Sequence, residues 1–337
     1  AEKKESGIKI LGGGCAKCNA LEAATEEALR ELGMDATIDH VRDFEKIAQI
    51  IREESLDVVA FQEILSEGKG LRRLLEQYIN MPYHPWDFCW ASPRESSDPA
   101  KCGKDMRGEG YAYIWDKRKL KKSAAQSILA DETEMFEPRI LNSLSNDVNA
   151  DCSIFARTPY YLRLEPRYGG FFELRFLNIH IYYGSASDVQ KRQAEYDLLM
   201  REIYPRISQR RYGNFRPAFT IAMGDYNLNI FCPGRRDCLA DVYQQTNFQI
   251  KTIQHQLSTL RKPSDTQSNT RKLTLFSSKE KHLANNYDHF TYSPELSPFA
   301  NVSCQTIDAV SKYCGGDYSY YYNHISDHLP VLMEIEI

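Results

Sequence analysis

The chain has no apolar run approaching the roughly 20 residues a helix needs to cross a bilayer. That excludes a helical membrane protein of the usual kind. It has no excess of positive charge either. Its 42 lysines and arginines stand against 46 aspartates and glutamates, for a formal net charge of -4 over 337 residues, and the pI is near 6.1. Overall basicity therefore gives no support to nucleic-acid binding, and any basic footprint has to be local. The first residues, Ala1-Glu2-Lys3-Lys4-Glu5-Ser6, carry charge with no apolar signal core behind them. This favours a cytoplasmic placement, with secretion the alternative if a signal has been removed. A paired disulfide framework is also wanting, because nine cysteines is an odd number and only Cys15 and Cys18 lie close together. Internal repeats and low-complexity segments are absent. What remains is ordinary for a folded globular chain: 42% hydrophobic and 26% charged residues.

The first forty residues form a segment of their own. Gly7-Ile8-Lys9-Ile10-Leu11 reads as a strand, followed by Gly12-Gly13-Gly14 and then Cys15-Ala16-Lys17-Cys18. Asn19 to Leu32 are strong helix formers with Leu21, Ala24, Ala28 and Leu32 on one side, Gly33 closes the helix, and Ala36 to Val41 suit a second strand. A C-x-x-C pair at a helix N-terminus is redox geometry, since the helix dipole favours the Cys15 thiolate. Ile8 to Val41 resembles the small thioredoxin-like redox-disulfide proteins, which makes Cys15 and Cys18 a candidate redox pair. A zinc half-site, a heavy-metal loop or an inert pair are the alternatives. The further strands and the proline loop of a full thioredoxin-like fold do not follow. The chain runs instead into an amphipathic helix from Asp43 to Glu54, with Phe44, Ile47, Ile50 and Ile51 apolar at helical spacing.

From there apolar strands alternate with helices, and several strands end in a polar residue. Leu56 to Phe61 leads into Gln62-Glu63. Gly108-Glu109-Gly110-Tyr111 opens a strand that runs to Trp115. Arg157-Thr158-Pro159 interrupts the stretch Cys152 to Leu164, which predicts an edge strand or a bulge. Phe171 to His180 delivers His180. Phe219 to Asn229 is the most informative stretch: an apolar strand, broken at Gly224, followed by Asp225 and Asn227. If the strand continues, both side chains share a face, where they can hold a water or a phosphate oxygen. Tyr287-Asp288-His289-Phe290 opens another strand, and Ser326-Asp327-His328-Leu329-Pro330-Val331 leads into the last one.

In the order Q-E, R-x-P, N-x-H, G-D-x-N, D-H and S-D-H-x-P-V, these strand ends resemble the endonuclease/exonuclease/phosphatase superfamily, the deoxyribonuclease I-like proteins. The resemblance spans Asp43 to Ile337 and is most specific at Gly224 to Asn227 and Ser326 to Val331. It implies an α/β fold, a four-layered α/β/β/α sandwich, occupying 42–337 behind a thioredoxin-like fragment at 1–41. It also implies a metal-dependent phosphoesterase. Glu63 would be the main ligand for Mg²⁺ or Mn²⁺, and Asp327 would assist the metal or orient His328. His328 would serve as general base, and His180 would hydrogen-bond the phosphate or serve as the acid. Asp288 would orient a histidine, Asp225 and Asn227 would hold the nucleophilic water and the phosphate, and Tyr111 and Arg157 would line the phosphate pocket. The chemistry agrees: Mg²⁺ takes hard oxygen ligands, and histidine is the natural base near neutral pH.

The chain departs from that family where its first strand should carry an asparagine near the metal. Here Ala36-Thr37-Ile38-Asp39-His40-Val41 stands instead, with Asp39 or His40 as possible substitutes. The front reads as joined from another family, by natural fusion or by engineering. On substrate, the loops after Asn229 carry Arg235, Arg236, Lys251, Arg261, Lys262, Arg271 and Lys272 with few apolar clusters, which suits a polyanion better than a bilayer. An endonuclease is the leading expectation. A phospholipid or inositol phosphate phosphoesterase is the alternative within the superfamily. A thiol-disulfide redox protein with an inactive nuclease-like domain is the alternative from another class.

Overall fold

The computed structural model describes residues 8–11, 27–28, 30–31, 38–41, 43–64, 68–80, 83, 85–91, 109–123, 157, 159–169, 171–185, 187–210, 216–229, 251–253, 256–263, 280–292 and 301–336. Cys15, Cys18, Arg235, Arg236, Arg271 and Lys272 lie outside them. The chain divides into two compact units: Ser55–Leu257 with Asn285–Thr306 and Val331–Ile337, and Ala1–Glu54 with Ser258–Ala284 and Ile307–Pro330. No helix among the described residues is long and apolar enough to cross a membrane.

The larger unit is mixed α/β and built on two packed sheets. The strands of its main sheet are β6 (Leu120–Lys122), β7 (Tyr160–Pro166), β8 (Glu173–His180), β9 (Ala218–Asp225), β10 (Lys251–Ile253) and β11 (Asp288–Tyr292), in the order β10-β11-β9-β8-β7-β6. Only β8 and β9 run parallel, so the chain between them must cross over, and it does so through helices. The second sheet is β3 (Val58–Ile64), β4 (Trp86–Ala91) and β5 (Gly110–Asp116), ordered β3-β5-β4, accompanied by the antiparallel pair β12 (Asn301–Thr306) and β13 (Val331–Glu336).

Period-two alternation decides what fills the space between the sheets. Tyr111, Tyr113 and Trp115 of β5 meet Tyr160, Leu162 and Leu164 of β7, Phe176 of β8, Phe219 and Ile221 of β9, and Phe290 and Tyr292 of β11 in one apolar core. The opposite face of the main sheet is covered by a continuous helical run: Val189–Leu198, a π-helical turn at Leu199–Ile203, and Tyr204–Gln209. Leu199, Met200, Ile203, Tyr204 and Ile207 pack there against Leu177, Ile179 and Ala222.

One feature departs from the sequence expectation. β7 is an interior strand, flanked by β6 and β8, rather than an edge. Pro159 falls one residue before it and so removes no ladder hydrogen bond. The solvent-remote part of the main sheet also holds a buried ionic triad, with Glu173 bonded to Arg163 at 2.5 Å and to Arg175 at 2.7 Å. Burial alone would raise the Glu173 carboxyl, but its bonds to the two guanidinium groups hold it below the usual carboxylate range.

In the smaller unit, β1 (Ile8–Leu11) and β2 (Ile38–Val41) pair in parallel, with Asp39 opposite Lys9 and His40 opposite Ile10. Residues 27, 28, 30 and 31 between them are helical, giving the expected strand-helix-strand segment. The helix Phe44–Glu53 begins at Asp43, whose carboxylate caps the Lys46 N–H at 2.9 Å. It buries Phe44, Ala48, Ile50 and Ile51. Two short helices, Ala309–Tyr313 and Tyr318–His324, are tied to its ends. Lys312 and Tyr313 bond Glu54 at 2.7 and 2.6 Å, and the Asp43 N–H donates to the His324 carbonyl at 3.2 Å.

Candidate active site

One end of the two-sheet sandwich collects the polar strand ends of the larger unit. Strand register makes the first part of it. In β8 and β9, His180 is paired with Asp225, and in β9 and β11, Asp225 is paired with Asp288. Residues 180, 225 and 288 have the same parity as the core residues Phe176, Ile221 and Phe290, so the row faces the inter-sheet space. The His180 Nε2 lies 3.6 Å from the Asp225 carboxylate. All three residues are buried.

A β-bulge supplies the second part. β3 and β5 pair Phe61 with Ala112 and next Ile64 with Gly110, so Gln62 and Glu63 together face Tyr111. Glu63 takes a left-handed backbone with φ 56°. Non-glycine residues pay about 1–3 kcal/mol for such a conformation, and it persists only where the surroundings enforce it. It turns the Glu63 carboxylate to within 4.0 Å of His180 Nε2 while leaving that side chain 50% exposed. The other bulge residue, Gln62, turns inward and donates to Asn178 Oδ1 at 2.6 Å. Asn178 in turn donates to the carbonyls of Phe61 at 2.9 Å and Ala112 at 3.3 Å. These bonds clamp the two sheets just below the site.

Glu109 completes the cluster. It pairs with Arg157, whose Nη1 also lies 3.5 Å from the His180 carbonyl. Burial alone would lower the Arg157 guanidinium, yet the Glu109 charge raises it, so it stays charged. Burial pushes the Tyr111 phenol up, against the lowering effects of Arg157 and of the His180 N–H that it accepts at 3.0 Å. Tyr111 is therefore a neutral hydroxyl that pins the His180 backbone. Neither Glu109 nor the clamp through Gln62 and Asn178 was singled out for a role by sequence reasoning. The spacing Glu109-x-Tyr111 at the mouth of β5 was the available signal for Glu109.

Asp225 and Asn227 come together for a different reason from the one expected. The strand ends at Asp225, and Asn227 has φ 50°. The Asp225 carboxylate accepts the Asn227 N–H at 2.7 Å, and the Asn227 amide donates to the Ile181 carbonyl at 2.7 Å. An Asx-type turn, not strand alternation, brings them together. Asp327 and His328 belong to the smaller unit. The Asp327 carbonyl accepts the Leu260 N–H at 2.7 Å, His328 bridges Thr259, and the His328 N–H donates to Ser326 Oγ at 3.0 Å.

Ligand atoms of Glu63, Glu109 and His180 all lie within 4.8 Å of one another. Carboxylates of Glu63, Glu109 and Asp225 thus gather around one imidazole and one guanidinium, an excess of negative charge that a cation would offset. Two carboxylates suit the hard-oxygen preference of Mg²⁺ and Mn²⁺. The half-exposed Glu63 leaves the open side that a substrate oxygen would need.

Comparison with known proteins finds two kinds of relative. The thioredoxin domain family matches residues 6–51. A thioredoxin of Methanothermobacter thermautotrophicus is 40% identical over 42 residues, and the chain spans only 54% of that relative's length. A thioredoxin of Methanocaldococcus jannaschii is 32% identical over 76 residues, which make up 21% of this chain and 88% of the relative. Among solved structures, humanized D. rerio TDP2 aligns with a TM-score of 0.50 at 13% identity, over 87% of this chain and 91% of that one. ANGEL2, described as a 2',3'-cyclic phosphatase, aligns with a TM-score of 0.50 at 14% identity, over 87% and 85%. By its N-terminal segment the chain belongs to the thioredoxin family, and over most of its length it has the deoxyribonuclease I-like α/β/β/α fold of the endonuclease/exonuclease/phosphatase proteins.

Proposed function

We propose that the chain is a divalent-metal-dependent phosphodiesterase that acts on nucleic acid as an endonuclease. The observation that carries this reading is the convergence of Glu63, Glu109 and His180 beside Asp225 and Arg157. Glu63 would hold Mg²⁺ or Mn²⁺, with Glu109 and His180 in reach. The bound ion would neutralise charge on the phosphate oxygens and activate a water. Arg157, kept charged and aimed by Glu109, binds a non-bridging oxygen. His180, hydrogen-bonding the phosphate or serving as acid, is oriented by the Asp225 carboxylate and held by Tyr111. Asp225 and Asn227 position the water and phosphate, and Asp288 supports the row. Asp327 and His328 keep the roles the resemblance implies, metal-assisting or orienting partner and general base. The two-part organisation into 1–41 and 42–337 belongs to the same reading.

The test is a parallel assay of plasmid nicking, phospholipid hydrolysis and inositol phosphate release, with Mg²⁺, Mn²⁺ or a chelator. Chelator-sensitive nicking that weakens steeply with added salt is expected, because each phosphate contact releases counterions. Lipid or inositol phosphate turnover without nicking at any salt would replace the nuclease by a phosphomonoesterase or lipid enzyme at the same site.

A second activity rests on a separate observation, the thioredoxin match over residues 6–51, which includes Cys15-Ala16-Lys17-Cys18. Changing both cysteines to serine should abolish any insulin-disulfide reduction and leave phosphodiester hydrolysis unaltered. If hydrolysis instead followed the oxidation state of the pair, the N-terminal segment would be a redox switch on the enzyme.

A further inference from the structure

The loop leaving β8 places an exposed ring beside the site. Tyr183 lies three residues beyond His180 and is 50% exposed. An exposed ring contributes little to the fold, yet this one is held firmly. Arg192 is buried, and its Nη1 donates to the carbonyls of Tyr183 at 2.7 Å and Ser185 at 3.0 Å. The same guanidinium lies 5.5 Å from the Tyr183 ring centre. Asp188 fixes the other end of the loop by accepting from the Ser185 N–H at 2.8 Å and its hydroxyl at 2.7 Å. Gly184, at φ 60°, leaves no room for a side chain, since a Cβ there would come within 2.3 Å of the Tyr182 ring. On its other flank Tyr183 meets Tyr287 at 6.5 Å with the rings tilted by 55°. Tyr287 directly precedes Asp288, and its carbonyl accepts the Tyr226 N–H at 2.8 Å.

A rigid, half-exposed ring at the rim of a phosphodiester site has an evident use. Every nucleobase offers a π-face, and stacking on an aromatic side chain is sequence-tolerant. A base inside a duplex is already stacked on both faces and cannot reach such a ring. We propose that Tyr183, braced by Arg192 and Tyr287, stacks an unpaired nucleobase next to the scissile phosphate, so that the substrate is single-stranded or locally unpaired nucleic acid. This rests on the phosphodiesterase reading and specifies its substrate class.

The test uses the full chain with Mg²⁺, a single-stranded DNA oligonucleotide, and versions of it carrying one abasic site at each nucleotide flanking the cut. A methyl p-nitrophenyl phosphate diester serves as a base-free substrate. Tyr183→Ala should raise KM for the oligonucleotide about tenfold or more with kcat little changed, Tyr183→Phe should behave like the natural protein, and hydrolysis of the base-free diester should be unaffected. An abasic site at one flanking position should cost the natural protein a similar factor and cost Tyr183→Ala little. Tyr168→Ala removes a still more exposed ring from the turn at the far end of β8 and should change nothing. Equal abasic penalties in the natural protein and Tyr183→Ala would overturn the platform, as would equal losses on the base-free diester. If the natural protein cleaves no phosphodiester at all, the underlying reading fails instead. Oligonucleotide binding then decides the platform: about tenfold weaker binding by Tyr183→Ala sustains it, and unchanged binding removes it.

Discussion

Glu63→Gln should lower Mg²⁺-dependent phosphodiester hydrolysis by about three orders of magnitude, since the stabilisation a catalytic metal provides is several kcal/mol. The substitution keeps the size and hydrogen-bonding reach of the side chain and removes the charge that would hold a divalent ion. Glu63 is the carboxylate in the cluster with its side chain half exposed, and so the one through which an ion stays open to substrate. Glu109 is already engaged by Arg157. The measurements are kcat/KM on DNA at fixed Mg²⁺ and calorimetric titration with Mn²⁺. Unchanged activity and affinity would reduce Glu63 to an ordinary strand end. A companion variant separates chemistry from folding. Glycine accepts the φ of 56° at this position without strain, so Glu63→Gly should lose activity like the glutamine variant while its melting temperature stays level or rises. A large fall in melting temperature would show that the bulge depends on the side chain.

Gly224→Ala should be the most damaging single methyl group added to the larger unit. A Cβ there would lie 2.0 Å from the carbonyl oxygen of Ile179, and φ is 136°. Backbone cannot rotate aside as a flexible side chain can, so β8 and β9 would have to separate where they deliver His180 and Asp225. A loss of about 3 kcal/mol or more is expected from the clash and the strain together, with hydrolysis falling alongside. Gly316 provides the contrast. It has φ 83° but no atom within 4 Å of a Cβ, so Gly316→Ala carries the backbone cost alone, about 1 kcal/mol. Thermal and urea unfolding of the two variants should rank them clearly. Equal effects would mean that β8 and β9 yield more easily than their register suggests.

Strand ends were legible in the chain because alternation and polar termination are local. Gly224 announced the end of β9, and Glu63, His180 and Asp225 each followed an apolar run that stops in polar residues. The strand-helix-strand character of the first forty residues was equally local, carried by glycines, helix formers and the cysteine spacing. Ionic and polar partners were not legible, because they join residues far apart in sequence. Glu109 meets Arg157 across 48 positions, and Asn178 reaches Phe61 across 117. The sequence also pointed to the wrong cause for Asp225 and Asn227, since a turn with φ 50° replaces the strand that parity assumed.

By itself, then, the sequence determined which residues stand at strand ends, through periodicities of two and 3.6 that any short window displays. Only the tertiary structure decided which of them form a site. Pairing of β8, β9 and β11 lines up His180, Asp225 and Asp288, and an unpaired residue in β3 rotates Glu63 toward them. Register is set by sheets closing on a shared core, and a shift of one residue would turn every one of these side chains to the opposite face.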